Sequence, residues 1–264
     1  MNIVSHLNLK SFPGQLGLGL VEIFVSLTVA MLLLSGLITL MLNNQQAYRL
    51  DHNLAEIQNN GRYATTFMSR TIRLAGFRSP PDLSKMIDYP DLSSIFPTGS
   101  ELIQGTNNNV NGSDTLTVRY QGSPSGNVFD CLAQTVNANQ IAVNTFSVNN
   151  QGQLVCSAIN NGVPNASNPA VLVDGIEAMH IRFGEDLNGD GQVDRYVPPG
   201  FAGLVLNNVV SIRIGLLLRS LEQVNPTTNN QTYALQDSLM GPFNDKYLRR
   251  TVTTTVKLRS SIGG

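Results

Sequence analysis

The sequence of 264 residues lacks tryptophan, has only two cysteines and three histidines, and is poor in charge, with 13% charged residues. Charged residues make up about a quarter of a typical soluble domain. Uncharged polar residues must therefore supply much of the surface, a composition more common in exported proteins than in cytosolic enzymes. A formal net charge of −1 argues against a nucleic-acid-binding surface spread over the whole molecule.

The scarcity of histidine also bears on catalysis. His6, His52 and His180 are far apart in sequence and have unlike neighbours, so a histidine-centred metal or catalytic site is not expected. The sequence also shows no nucleophile elbow, phosphate-binding loop or zinc motif. It therefore predicts a protein that is not an enzyme.

What the sequence does have is a long apolar run at residues 18–42, whose only charge is Glu22. A helix needs about 20 residues to cross a bilayer, and this run is too long for the core of a cleaved secretory signal. We therefore expect a retained membrane anchor. The preceding residues 1–17 carry Lys10 and no acidic residue, so we expect them on the cytoplasmic side.

Glu22 is the unusual residue of this run. An ionised carboxylate in hydrocarbon is costly, and such residues are usually functional and partnered. The alternative is that Glu22 lies near the membrane surface and reaches water at small cost.

Residues 17–22, Gly-Leu-Gly-Leu-Val-Glu, together with the apolar run resemble the class III signal of type IV prepilins and type II secretion pseudopilins. The resemblance implies that a prepilin peptidase cuts between Gly17 and Leu18 and methylates the new amine. Leu18 replaces the commoner phenylalanine or methionine. Glu22 becomes the fifth residue of the mature chain, where its carboxylate can pair with the N-terminal amine of a neighbouring subunit in a filament.

The helix is predicted to continue beyond the membrane, because no proline occurs between Gln15 and Ser79. Residues 43–77 form an amphipathic continuation that ends near Gly76, and Gly36 and Gly61 are candidate bends. Periodicity alone fits equally an ordinary amphipathic helix in a membrane-anchored domain. The apolar stripe has helical spacing and consists of Leu50, Leu54, Ile57, Ala64, Met68, Ile72 and Ala75.

The rest of the chain, residues 78–264, is predicted to form a β-rich head. Alternating or β-rich segments predict strands, and loops are expected at 79–112 and 221–245. The fold class is therefore α+β: a long N-terminal helix packed on a mainly antiparallel sheet, as in type IV pilins. The predicted strands lie at 114–121, 141–148, 170–173, 177–183, 209–218 and 251–259.

Cys131 and Cys156 both lie in this head. On the exported side of a membrane a cysteine pair usually oxidises, so a structural disulfide is expected. A catalytic thiol is the alternative, which the absence of a histidine near either cysteine in sequence disfavours.

One cluster of oxygen-bearing side chains, at residues 184–196, resembles an abbreviated EF-hand loop. Gly191 takes position 6, the Gln192 carbonyl would serve position 7, and Val197 replaces the usual glutamate at position 12. We expect a Ca²⁺ site of modest affinity here. The alternative is a polar β-turn, since turns favour the same residues. Positions 1, 3, 5 and 9 are Asp186, Asn188, Asp190 and Asp194.

The order of the head motifs resembles the PilW family of minor type IV pilins. These motifs are the segment 113–121, the cysteine pair, the Asp/Asn/Gly turn, the segment 210–219 and the closing 249–256. The resemblance implies a low-abundance subunit of a priming or tip complex. Its implied partners are other minor pilins, the major pilin, the prepilin peptidase and the inner-membrane assembly platform.

The resemblance further implies a single-pass inner-membrane protein with a periplasmic head, which later enters a pilus at the cell surface. Two alternatives remain open from the sequence. One is a type II secretion pseudopilin, which shares the leader and Glu22. The other is a tip adhesin or binding module with a calcium-stabilised head.

Overall fold

The structure, a computed structural model, describes residues 19–78, 95–96, 101–107, 112–138, 140–160, 163–164 and 169–259. The chain divides into two compact units, Met1–Tyr48 and Arg49–Gly264. The single α-helix of the described residues, α1 (Leu20–Ile72), begins in the first unit and ends in the second. Its two parts have different surroundings and are described in turn.

In the first unit every described residue is exposed. The helix starts where the Glu22 and Ile23 amides donate to the Gly19 carbonyl, at 2.9 and 3.3 Å. In the described part of the chain, α1 is the one helix long and apolar enough to cross a membrane.

In the second unit α1 packs into the core, and the predicted stripe is confirmed there. Ile57, Ala64, Met68 and Ile72 are at most 2% exposed, whereas Leu50 and Leu54 are half-buried. The helix ends at Ile72, and a turn follows to Gly76, whose φ of 73° favours glycine.

The larger sheet of the head is antiparallel and six-stranded. Its strands pair in the order β1-β2-β3-β4-β5, and β6 also pairs with β4. It supplies one side of the main core, through residues such as Leu116, Phe146 and Leu154. Its bounds are β1 (Ile103–Thr106), β2 (Thr115–Gln121), β3 (Ile141–Val148), β4 (Gln153–Asn160), β5 (Val163–Pro164) and β6 (Ala170–Asp174).

The second sheet is antiparallel and four-stranded, in the order β12-β9-β7-β8, and a separate hairpin joins β10 to β11. One face of this sheet joins α1 and the larger sheet in the main core; Ala178 and Leu217 on the other face pack with Leu235 of the hairpin. The strands are β7 (Ile176–Glu185), β8 (Arg195–Val197), β9 (Val209–Gln223), β10 (Tyr233–Leu235), β11 (Ser238–Met240) and β12 (Tyr247–Lys257).

Strand β7 carries a β-bulge near its start. Ile176 lies opposite Leu218 and Ala178 lies opposite Leu217, so Glu177 is the extra residue. The bulge places Ile176 in the main core and Ala178 on the hairpin side, although two residues separate them in sequence.

Gly61 is a point of close approach rather than a bend. A methyl group at this position would lie 3.2 Å from the Val252 side chain and 3.3 Å from that of Leu218. Glycine therefore lets α1 lie close to β9 and β12, while α1 itself continues as helix through this residue.

The predicted strands are all present; β7 and β9 are longer than predicted, and β12 covers 247–257 instead of 251–259. Strand β4 was not predicted. The segment 221–245, expected to be a connection, instead contains the β10–β11 hairpin, because short three-residue strands give no alternation that a sequence pattern can register. Strand β1 lies in the expected loop 79–112 for the same reason; most of that loop, including residues 92–94, is outside the described residues.

Candidate functional site

The first candidate site is the N-terminal part of α1, where Glu22 lies in the first turn. A carboxylate is favoured there by the helix dipole. Glu22 is exposed, and no residue that the structure describes forms an ion pair with it. Gly17 and Leu18 lie outside the described residues, so the processing site and the pairing of Glu22 stay predictions.

The other polar groups of this apolar segment are satisfied within the helix. Each of four hydroxyls donates to a backbone carbonyl three or four residues earlier, at 2.8–2.9 Å. Such bonds let hydroxyl residues lie in an apolar environment without an unpaired donor. Glu22 is therefore the one side chain of residues 20–42 that needs an external partner. The hydroxyl residues are Ser26, Thr28, Ser35 and Thr39.

In the head, Cys131 and Cys156 form the expected disulfide, which confirms that prediction. The bond joins the loop after β2 to β4. A buried hydrogen-bond chain supports it, since the Asn144 side chain accepts from the Cys131 amide at 2.9 Å and donates to the Tyr120 hydroxyl at 2.8 Å. Burial raises the pKa of Tyr120 above its usual range, so the hydroxyl stays protonated and donates to the Phe129 carbonyl.

The loop between β7 and β8 holds the five residues expected to bind calcium. Asp186 accepts backbone hydrogen bonds from Gly189 and Gly191, both at 2.7 Å, and from Asn188 at 3.2 Å. The Asp190 carboxylate likewise accepts from the Gln192 amide at 2.8 Å. The loop thus folds on itself as a series of tight turns.

These contacts define the electrostatics of the loop. Although burial opposes ionisation of Asp186, the surrounding amides outweigh it and lower the pKa of its carboxyl. The Asp194 carboxylate accepts a hydrogen bond from the Leu187 amide at 2.7 Å. Within the described ranges, no three His, Cys, Asp or Glu side chains are placed to hold a metal ion. The loop as it stands is a self-satisfied polar turn, and calcium binding stays a prediction.

An ion-pair cluster centred on Arg249 was not predicted from the sequence. Arg249 is 4% exposed and donates to Glu177 at 2.6 and 2.8 Å and to Asp245 at 2.6 and 2.7 Å. These bonds raise the pKa of Arg249, against the effect of burial, and the Arg249 hydrogen bond lowers that of Asp245. Glu177 is 72 residues away in sequence, so no local pattern shows the pairing.

A second ion pair holds the β10–β11 hairpin. Arg182 of β7 pairs with Asp237 in the hairpin turn, and the Arg182 Nε donates to the same carboxylate at 2.7 Å. His180, two residues before Arg182, is buried on this side of the sheet. The hairpin is therefore fixed by charge as well as by apolar contact.

Known proteins resemble this chain in the sequence of its head and in its structure. Residues 140–260 match the family model PilW, described as type IV pilus-assembly protein W. A solved structure of a type IV-like pilin from Thermus thermophilus is similar, with a TM-score of 0.44 and 15% sequence identity over 80% of this chain and 95% of that one. No curated protein sequence matches the chain significantly.

The PilW match covers the region from β3 to the end of β12, and with it Cys156, the Asp/Asn loop and the Arg249 cluster. The resemblance seen in the sequence is thereby confirmed for this region. Over residues 140–260, the chain is therefore similar to the PilW family of type IV pilus-assembly proteins.

Proposed function

We propose that the chain is a minor pilin that acts in the assembly of type IV pili, in a priming or tip complex with other minor pilins. The observation that carries the proposal is that one chain contains both a segment matching the PilW family and an exposed apolar segment, residues 20–42, with a single carboxylate, Glu22. Its role is structural rather than enzymatic. The family match favours the type IV pilus over a type II secretion machine.

The protein passes through two environments in this proposal. It is first a single-pass protein of the inner membrane, with its head in the periplasm, and the prepilin peptidase cuts it after Gly17. The exposed apolar surface of residues 20–42 suits lipid at that stage. The assembly platform then transfers the helix into a filament, where the helices of the major pilin and other minor pilins replace the lipid.

Glu22 makes this transfer specific. An unpaired carboxylate is costly in an apolar filament core, whereas a carboxylate facing the amine of a neighbouring subunit is stabilised. Subunits in the correct register satisfy both charges, and subunits out of register leave two charges buried. The proposal thus gives Glu22 a part in choosing the register of assembly.

The test compares Glu22→Ala with Glu56→Ala, which removes the same side chain from α1 outside the apolar run. Each variant replaces the wild type in cells, pili are sheared, and the variant is quantified in the pilus and membrane fractions. We expect Glu22→Ala to be processed and exported but reduced at least tenfold in pili. Glu56→Ala should enter pili normally.

Two results would contradict the proposal. Normal incorporation of Glu22→Ala would remove the role given to this carboxylate. An unprocessed wild-type chain that never enters pili, shown by N-terminal sequencing that fails to find methylated Leu18, would overturn the minor-pilin function itself. Co-purification of the mature chain with major and minor pilins would support the partners.

A further inference from the structure

Two elements of the head concentrate positive charge. Residues 57–78, in and just after α1, contain four arginines and no acidic residue, and residues 247–259, around β12, contain three arginines, one lysine and no acidic residue. The whole chain has a net charge of −1. Eight of the 17 lysines and arginines of the chain therefore lie on these two segments, which contain no acidic residue.

The two elements border the same cavity, of about 300 Å³, which opens to solvent. Arg70 and Arg73 line it from the end of α1 and the turn after it, and Thr254 lines it from β12. The other lining residues are Thr65, Thr66 and Ser69. No carboxylate of the described residues lines the cavity. Arg70 and Arg73 are exposed and form no ion pair with any residue that the structure describes. The lining can donate hydrogen bonds to an anion at several points.

Strand β12 lies at the edge of its sheet and, among the described strands, pairs only with β9. The Leu258 amide donates to the Val210 carbonyl of β9 at 2.9 Å, and the register is regular from Arg249 to Lys257. Since backbone groups alternate in direction along a strand, the N–H and C=O groups of Thr251, Thr253 and Thr255 point away from β9. These three residues are exposed.

We propose that the groove between residues 62–73 and the outer edge of β12, the β12 groove, binds an extended acidic segment of a partner protein. The segment adds to β12 as a further strand, through the outward backbone groups of the threonines. Its acidic side chains on the helix side meet Arg70 and Arg73, and one near the start of β12 meets Arg250.

The positive charge of the β12 groove and the free strand edge together favour one kind of occupant over two others. A second copy of this chain would bring the same positive edge against itself, so edge-to-edge pairing of two copies is opposed by repulsion. Nucleic acid would satisfy the arginines, but it cannot pair with the outward N–H and C=O groups as a strand does. In the part of the chain that the structure describes, no aromatic side chain lines the cavity for base stacking. An acidic extended peptide can pair with the arginines and also form hydrogen bonds with the outward backbone groups of β12.

The β12 groove goes beyond the proposed function, because it lies on the head and does not use Glu22 or the apolar helix. Its test therefore uses isolated protein and does not depend on pili. The full-length chain is purified in a nonionic detergent. Fluorescence anisotropy then measures its binding to a labelled peptide of about ten residues with alternating threonine and glutamate.

Two control peptides separate charge from strand pairing. One alternates threonine and lysine, and the other keeps the glutamates but has prolines at two central positions, which prevent pairing as a strand. We expect binding of the threonine–glutamate peptide alone. A DNA duplex of equal charge serves as the competing ligand and should bind at least tenfold more weakly.

Variants of the chain test the same two features. Arg70→Gln combined with Arg73→Gln should weaken peptide binding about tenfold, whereas Arg49→Gln, on the same helix away from the groove, should not. Thr253→Pro removes an outward N–H without removing a bond to β9 and should weaken binding about tenfold. Thr253→Val keeps the N–H and should bind as the wild type.

The proposal fails if the proline-containing peptide binds as well as the alternating one, or if Thr253→Pro binds normally while its unfolding temperature is unchanged. DNA binding that exceeds peptide binding would show a phosphate-binding surface instead of a strand site. Absence of binding by the threonine–glutamate peptide at low salt would overturn the proposal altogether.

Discussion

Residues 20–48 and the head satisfy their polar groups in opposite ways. In residues 20–48 the serine and threonine hydroxyls bond to carbonyls three or four residues earlier, and no side chain is buried. In the head, decisive bonds join distant residues, such as the Ile181 amide and Asp114, or Arg249 and Glu177. The first region thus depends on an environment supplied from outside, whereas the head holds itself together.

The largest expected effect is that of Arg249→Gln, which removes the centre of the long-range ion pairs in the head. This change leaves Glu177 and Asp245 without their shared cation in a buried site, and breaking such a pair costs about 3–5 kcal/mol. Denaturant unfolding of the full chain in detergent measures it. Arg213→Gln is the control, because Arg213 lies over the ring of Tyr196, 3.8 Å from its centroid, and forms no ion pair with a residue that the structure describes. A loss below about 1 kcal/mol for Arg249→Gln would show that the cluster is not a stabilising element.

A matched pair of methionines compares the two regions directly. Met68 is fully buried and Met31 is 60% exposed on the same helix. Met68→Ala should lower the free energy of unfolding of the head by about 2–5 kcal/mol, because it leaves a cavity. Met31→Ala should leave it unchanged. Equal effects in the same unfolding experiment would contradict the division of α1 into two regions.

The disulfide adds stability to the head alone. Cys131 and Cys156 enclose a separation of 25 residues. Replacing both with serine should cost about 3 kcal/mol, as expected for a loop of this size. The thermal midpoint of the double variant, compared with that of the wild type under reducing and oxidising conditions, measures the loss. Reductant should lower the midpoint of the wild type only; a drop in both proteins would point to another cause.

The head should also respond to pH through His180. Burial, with Arg182 nearby, lowers the pKa of this imidazole, although Asp114 and Asp237 act in the opposite direction. Below a pH of about 6.5 the unfolded chain therefore takes up a proton that the folded chain resists, so stability falls as the pH drops further and is unaffected above it. The thermal midpoint should fall from pH 7.5 to 5.5, and by less in His180→Gln. An equal fall in both proteins would exclude His180 as the cause.

Two carboxylates affect stability at lower pH. The pKa values of Asp186 and Asp245 are lowered in the folded chain, so their contributions to the free energy of unfolding are lost only below a pH of about 4.

The smallest expected effect concerns calcium in the loop of Asp186 and Asp190. Because the amides of the loop already bond to these carboxylates, any gain from an added ion is small. Calorimetry of the full chain with Ca²⁺ should show weak binding that Asp190→Ala removes and Asp174→Ala, outside the loop, retains. Equal heats of Ca²⁺ binding for the two variants would show that the loop is a polar turn and not the calcium site.

The sequence predicts what depends on local pattern. The apolar run, the buried stripe through Ile57 and Met68, and the alternating strands β2, β7, β9 and β12 are all visible from spacing. The disulfide is predictable because only two cysteines are present. The order of the motifs in the head is also enough to predict the resemblance to the PilW family, which the match over residues 140–260 confirms.

What the sequence does not predict depends on distance. Gly61 allows a close approach because the side chains of Val252 and Leu218 pack against it, and these residues are too far away in sequence for a local pattern to show the contact. The short strands β10 and β11 are held by the packing of Leu235 on the sheet, not by their own alternation. The partners of Arg249 and the β12 groove likewise require strands that only the folded chain brings together.

The bulge at Glu177 has a consequence for the whole of β7. An extra residue reverses the parity of a strand: before it even-numbered positions face the main core, and after it odd-numbered positions do, as Ile176 and Met179 show. Deleting Glu177 would therefore leave a regular strand in which every residue keeps its face, at the loss of one partner of Arg249. Keeping Glu177 in a strand without the bulge would instead force a choice between two cores: either Ile176 keeps its place and every later residue changes face, or Met179, Ile181 and Phe183 keep theirs and Ile176 turns toward the hairpin.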